Sequence, residues 1–296
     1  MTDSTTNEAA WLDWRRRREE DLKAPYGWLS QTGLYWLQML GGFKARVPGI
    51  AGEWALRDGA VTFTPAAPAV LDGEGEPADA PVLVDAQGGR TSIAGPVHVP
   101  SDAEANGAYV EVGRIRASVI ERSGRFGIRV RDPESEFRRD FTGIPAYDFD
   151  PAWRIAGRFE PYDEARATSV GTRVPGMSST LDAVGEVSFT VQGAEQRLIA
   201  FDGGVAADGS RGLFIIFRDP TNGDTTYGSG RFLAATVTGG GVAADDVTVS
   251  DHGAPNVLLD FNRAYNPPCA FSPYCTCPLA PAGNEVSVPV TAGERH

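Results

Sequence analysis

Two short stretches of this chain gather charged, amide and phenolic side chains at a density suited to chemistry. "LLDFNRAYNPP" (Leu258–Pro268) ends an apolar run in Asp260, Asn262, Arg263, Tyr265 and Asn266. "FRDPTNGDTTYGSGRFL" (Phe217–Leu233) sets Arg218, Asp219, Asp224, Tyr227 and Arg231 around a turn between two apolar runs. A guanidinium held in a rigid frame forks onto a carboxylate or phosphate. Arg231 and Arg263 together could therefore hold a small anionic molecule, oriented by Tyr227 and Asn262, with Tyr265 and Asn266 beside them. Asp260 or Asp219 would activate water for a mild hydrolysis of an ester or lactone, with Tyr227 as a further acid–base group. A second reading needs no ligand: Arg263 pairs with Asp219 and Arg231 with Asp260, tying loops to a sheet. The residue types support both.

All three cysteines lie just downstream in "NPPCAFSPYCTCPLAP" (Asn266–Pro281), spaced Cys269-x5-Cys275-x-Cys277. With His252 upstream they make a zinc-compatible ligand count, but paired zinc knuckles present C-x2-C, and this spacing does not. No metal is expected. A disulfide from Cys269 needs an oxidising setting, and a nucleophilic Cys269 needs a base and a lowered pKa, neither visible in the sequence. The remaining reading is structural: Cys269 and Cys277 pack a loop stiffened by Pro267, Pro268, Pro273, Pro278 and Pro281, each of which fixes a backbone angle.

Other catalytic signatures are missing. The chain has no G-x-S-x-G elbow, Walker loop, H-E-x-x-H or dinucleotide glycine fingerprint. "DPTNGD" lacks the spacing and closing Glu of a calcium loop. No cofactor is expected.

Short strands must position these residues. The first element is an exception: Thr5-Thr6-Asn7-Glu8 fits a capping box, opening a helix whose Trp11, Trp14 and Leu22 share a face while Arg15–Glu20 stay solvated. Beyond Pro25 the pattern alternates. "ASVIERSGRFGIRVRD" (Ala117–Asp132) and "EVSFTVQGAEQRLIAF" (Glu186–Phe201) read as hairpins, and "GLFIIF" (Gly212–Phe217) as a central strand buried on both faces. "RRDFTGIPAYDFDPAWRIAGRFEPYDEA" reads as ordered connection, and "DGEGEPADAP" (Asp72–Pro81) as a surface loop. The expectation is an all-β protein: a helix over 1–25, then two packed sandwich-like or barrel-like β halves over 26–160 and 161–296.

"RDPTNGDTTYGSGRFL" followed by "LDFNRAYNPPCAFSPYCTCPLAPAGNEVSVPVTAGER" resembles a bacterial family known as domain of unknown function 1684. That family's hallmark is D-F-N-x-A-Y-N-P-P-C-A, then C-P-L-P-P and a closing A-G-E. Asp219, Tyr227, Arg231, Asp260, Asn262, Arg263, Tyr265, Asn266, Cys269 and Cys277 match it. Cys275 lies outside the pattern, and Ala280 departs from it. The resemblance implies no activity. The first half also has a slight look of a forkhead-associated sandwich at Gly113-Arg114, without the expected Ser-x-x-His.

Bulk properties bound the rest. The 296 residues carry 42% hydrophobic side chains, 35 glycines, 21 prolines and a net charge of −12. So negative a chain is a poor binder of nucleic acid or anionic membranes. Of its 27 basic residues only Lys23 and Lys44 are lysines, so lysine-based covalent catalysis is not expected. An opening without a secretory apolar core, and an odd cysteine count, make a cytoplasmic location the expectation. The functional expectation is a small-molecule protein with an anionic ligand; the alternative is a non-catalytic binding or scaffold protein.

Overall fold

The computed structural model describes residues 4–38, 44–66, 80–205, 209–238 and 256–296. His252 and most of the 72–81 loop lie outside them. The protein is mostly β, with one long helix, α1 (Ser4–Lys23). The helix starts one residue before Thr5, so the expected capping box falls inside its first turn. Among the described residues no helix is long and apolar enough to cross a membrane.

Two compact units divide the chain, one of Met1–Glu20 with Thr142–His296, the other of Asp21–Phe141. We call them the terminal and middle units.

The middle unit is built from β1 (Gln31–Trp36), β2 (Lys44–Val47), β3 (Ile50–Arg57), β4 (Ala60–Pro65), β5 (Val82–Val84), β6 (Arg90–Ser92), β7 (Val97–His98), β8 (Tyr109–Val112), β9 (Ile115–Arg122) and β10 (Arg125–Arg131). These form a six-stranded sheet, β1-β10-β9-β8-β5-β6, and a four-stranded sheet, β2-β3-β4-β7. Both contribute to one core, in which Trp54 and Phe63 of one sheet join Val110, Ala117, Val119, Ile128 and Val130 of the other. The first expected hairpin is β9–β10. Its turn residues Ser123 and Gly124 have φ of 52° and 69°, the left-handed pair that matches the natural twist of a two-residue hairpin.

In the terminal unit, β11 (Arg154–Gly171), β12 (Ser178–Val191), β13 (Ala194–Val205), β14 (Arg211–Phe217), β15 (Arg231–Thr236) and β16 (Val257–Asp260) form one sheet in the order β15-β14-β13-β12-β11-β16. Its edges approach each other through a Val237–Val257 bridge and a 2.7 Å bond from the Thr238 amide to the Asn256 carbonyl, so the sheet nearly closes into a barrel. The second expected hairpin is β12–β13. Arg154 onward, expected as connection, is instead the 18-residue strand β11, which runs through residue 160. Its inward Ile155 and Phe159 alternate too irregularly for the strand to stand out by pattern.

"GLFIIF" is interior as expected. Leu213, Ile215 and Phe217 enter the barrel core. Ile216, with Phe214 packed beside it, joins a second cluster holding Phe201, Phe232, Cys275 and Cys277. Phe261 sits at the barrel centre, with the rings of Phe217, Phe189 and Trp153 at 5.5, 5.7 and 6.1 Å. The strand-to-loop transition of the DFNRAYN motif is thereby anchored by an aromatic cluster.

Candidate functional site

Arg231 opens β15 and is fully buried. Its Nη2 donates to Asp219 Oδ2 at 2.9 Å and to the Val290 carbonyl at 2.9 Å, while Nη1 donates to the Ala292 carbonyl at 2.5 Å. Asp219 is equally occupied. Its Oδ1 accepts from the Thr221 amide (2.9 Å), the Thr221 hydroxyl (2.6 Å) and the Val290 amide (3.1 Å). Both side chains are at 0% exposure and only the Arg231 Nε is left without a partner, so the pair presents no face to solvent. It braces the C-terminal segment against the barrel.

Asp260 serves a different centre. Its Oδ1 caps the turn Phe261–Arg263 by accepting from the Asn262 amide at 3.2 Å. Its Oδ2 stands 3.5 Å from Arg263 Nε and 3.8 Å from Arg154 Nε. The ion pairs are thus the reverse of those expected: Arg231 with Asp219, and Arg263 with Asp260. Sequence neighbours meet because the turn of residues 219–230 folds β15 directly back on β14.

The motif amides are structural in geometry. Asn262, 1% exposed, exchanges bonds with the Asp150 backbone at 3.0 and 2.9 Å and accepts the Trp11 indole N–H on its carbonyl at 2.8 Å. The Asn266 amide nitrogen Nδ2 donates to the Arg295 carbonyl at 2.8 Å. Tyr265 lies edge-on to Phe232 at 5.6 Å and under the Arg18 guanidinium at 4.7 Å, and burial raises its phenol pKa.

Two structural partners escaped sequence reasoning. Arg18, expected on a solvated face, donates to Glu294 Oε1 at 2.9 Å and to the Asn266 carbonyl at 2.7 Å. Arg15 likewise reaches the Ile144 carbonyl at 2.7 Å, leaving Arg16 and Arg17 as the exposed pair. Glu294 is 2% exposed and also accepts the Asn266 amide at 2.7 Å; its burial raises its pKa against the pull of Arg18. The A-G-E ending has a physical basis. Ala292 is in the core, and Gly293 has φ of 78° with the Ala264 carbonyl 2.4 Å from where a Cβ would sit. Glu294 receives Arg18.

A partly exposed centre among the described residues involves the cysteines. The Cys269 amide donates to Cys277 Sγ at 3.2 Å, and the Tyr227 hydroxyl donates to the Cys269 carbonyl at 3.1 Å. Cys275 also interacts with the Cys277 thiol. Arg173 is docked there by backbone pairing, its amide donating to the Cys277 carbonyl at 2.9 Å, and its side chain lies beside the Tyr227 phenol. Cys275 and Cys277 are buried while Cys269 is half-exposed, and all three are free thiols. The Cys277 thiol, the Tyr227 hydroxyl and the charge of Arg173 together lower the Cys269 pKa to about 7, against its partial burial. Cys277 is pushed upward by the same hydrogen bond. Tyr227 is raised by burial and by Cys269. Nothing in the sequence pointed to Arg173, because it lies between β11 and β12, far along the chain from the cysteine loop. Among the described residues no cluster of His, Cys, Asp or Glu has a metal-holding arrangement.

The sequence profile of a family described as "Protein of unknown function (DUF1684)" matches residues 139–295. Among solved structures, the solution NMR structure of an uncharacterized protein from Haloarcula marismortui is 33% identical, covering 54% of this chain and 79% of that one, with a TM-score of 0.39. No curated protein matches. With more than half of its length matched, the chain belongs to the DUF1684 family.

Proposed function

We propose that the terminal unit carries a thiol site that reduces a small hydroperoxide, with Cys269 as the attacking thiolate and Cys277 as the resolving thiol. The observation that carries this reading is the 3.2 Å approach of the Cys269 amide to Cys277 Sγ, which sets two cysteines side by side where one of them reaches solvent. The thiolate attacks one peroxide oxygen, the O–O bond breaks, and the departing alkoxide takes a proton to become an alcohol. Cys269 is then a sulfenic acid. Cys277 attacks its sulfur, forming a disulfide and releasing water, and an external thiol returns the pair to its reduced state. Arg173, an exposed cation beside Cys269, supports the thiolate and favours an anionic substrate. Asp219, Arg231, Asn262 and Glu294 serve as the frame that holds the loop.

Intact-mass and peptide analysis test it. Reduced protein treated with a stoichiometric hydroperoxide should lose a pair of hydrogens and link Cys269 to Cys277. Cys277→Ser should stop at a sulfenic acid trapped by dimedone on Cys269. Equal oxidation of a Cys269→Ser variant would refute the assignment.

A further inference from the structure

The loop that carries the thiol site holds a third thiol for which the two-cysteine reaction has no use. Cys275 is buried in one apolar cluster with Cys277, Phe201, Ile216 and Phe232, against which Cys269 packs. The loop folds back on itself to make this cluster. The Ala270 and Phe271 amides donate to the Pro267 and Pro268 carbonyls at 2.9 and 3.0 Å and turn the chain after Cys269. Its return is pinned by the Arg173 amide on the Cys277 carbonyl at 2.9 Å and by the Leu279 amide on the Gly171 carbonyl at 2.8 Å. Cys277 is the shared member of the three. The Cys269 amide donates to its Sγ at 3.2 Å, and its thiol also interacts with Cys275. All three are free thiols.

Burial gives the outer two different partners. A hydroperoxide from solvent can meet Cys269, which is half-exposed, but not the buried Cys275. A thiol in apolar surroundings is also poorly ionised and inert toward an outside oxidant. Toward the sulfur beside it the same thiol is at high effective concentration, which offsets a low thiolate fraction. Departure of Cys269 is favoured in such an exchange, because a thiol of lower pKa leaves faster. The Tyr227 hydroxyl and the Arg173 charge both support the Cys269 thiolate, and neither needs Cys277 to be a free thiol.

We infer that Cys275 is a relay thiol, which takes over the disulfide formed at the reactive pair and returns Cys269 to its reduced state. The inference rests on the peroxide-reducing reading of Cys269 and Cys277. The Cys275 sulfur bonds to the Cys277 sulfur, the Cys269–Cys277 bond breaks with its electron pair passing to Cys269, and the Cys275 proton goes to solvent. No net oxidation occurs in this step. The new bridge spans only Thr276 and is strained relative to the longer one, so exchange runs forward as a second hydroperoxide consumes the released thiolate. That second molecule converts Cys269 to a sulfenic acid and leaves as an alcohol. One chain thus reduces two molecules of hydroperoxide before an external thiol is needed.

The test is intact-mass and peptide analysis of the reduced full chain after one and after two equivalents of tert-butyl hydroperoxide, with dimedone added last. After two equivalents the wild type should carry a Cys275–Cys277 bridge and a dimedone adduct on Cys269. Cys275→Ala should stop after one equivalent with Cys269 bridged to Cys277, its adduct yield at least about ten-fold below wild type, because a sulfenic acid beside a thiol condenses to a disulfide. Cys275→Ser keeps the shape of the side chain and should behave as Cys275→Ala, which separates loss of the sulfur from a change in packing. If one equivalent leaves wild type with no bridge to Cys277, the reading of the pair is wrong and the relay falls with it. If that bridge forms but wild type also stops at one equivalent, the relay alone is overturned. Dimedone on Cys275 with the Cys269–Cys277 bridge intact overturns it equally, since Cys275 would then be oxidised directly.

Discussion

Replacing Cys277 by alanine should change how Cys269 reacts with pH in a way that loosening of the loop cannot imitate. The Cys277 thiol is the largest influence lowering the Cys269 pKa to about 7, from an ordinary value near 9. A hydrogen bond to a charged group is worth about 1.5–3 kcal/mol, and one pKa unit is about 1.4 kcal/mol. Its loss should move the midpoint up by about one to two units. At pH 7 the thiolate fraction then falls from about half to between about 10% and 1%. Intrinsic nucleophilicity rises with pKa at a Brønsted slope of about 0.4–0.5, a gain of about three- to eight-fold. The net rate against an aromatic disulfide at pH 7 should drop only about two- to six-fold, whereas above pH 10 the variant should be about three- to eight-fold faster. The two profiles therefore cross. The assay is the initial release of aromatic thiolate from pH 5 to 11, with peptide mass identifying Cys269 as the labelled residue. Profiles that stay parallel, or a wild-type midpoint above 8, would refute the hydrogen-bonded thiolate.

Stability follows the same titration. The folded thiol has the lower pKa, so its contribution is fully present above the unfolded value near 9 and is lost as pH falls through about 7. The difference in urea midpoint between wild type and Cys269→Ser should widen between pH 6 and pH 9. Asp219→Asn leaves Arg231 buried without its charge partner and should cost about 3–5 kcal/mol, read by native-state hydrogen exchange in β14 and β15. An Asp219→Leu, Arg231→Met pair should recover part of that loss. Gly293→Ala meets both a φ of 78° and the Ala264 carbonyl, so a loss of at least about 1–3 kcal/mol is expected in urea melts. Tyr227→Phe removes the hydroxyl that supports Cys269, and the midpoint of the thiol profile should rise without inverting the order of variants.

Strand alternation made the hairpins legible, and with them the all-β class. Ser123-Gly124 announced its turn because left-handed φ values favour such residues, and "GLFIIF" announced its double burial because both faces had to be apolar. The length and specificity of the DFNRAYNPPCA run likewise made the family legible. β11 was hidden by its position: half of it lies on the barrel and half reaches outward, so its burial follows neither period.

Which polar residues would face solvent and which would face each other was a different matter. The carboxylates Asp219 and Asp260 are alike in the sequence, as are the guanidiniums Arg231 and Arg263, and either pairing is compatible with their spacing. Only the closing of the sheet, which folds β15 onto β14 and lays Val290–Glu294 over both, decided that Arg231 is wholly enclosed while Arg263 stays half-exposed at 39%. The same is true of the thiol centre. Three cysteines on a proline-rich loop are inert or reactive according to what lies beside them, since thiolate stability depends on local donors and charge. Arg173 and Tyr227 arrive there on separate strands and turns, through backbone pairing that local sequence does not encode. The chain by itself determined the β architecture, because alternation and turn chemistry are local. The environment of each ionisable group was left to the tertiary structure, because desolvation and charge pairing act between residues that only folding brings together.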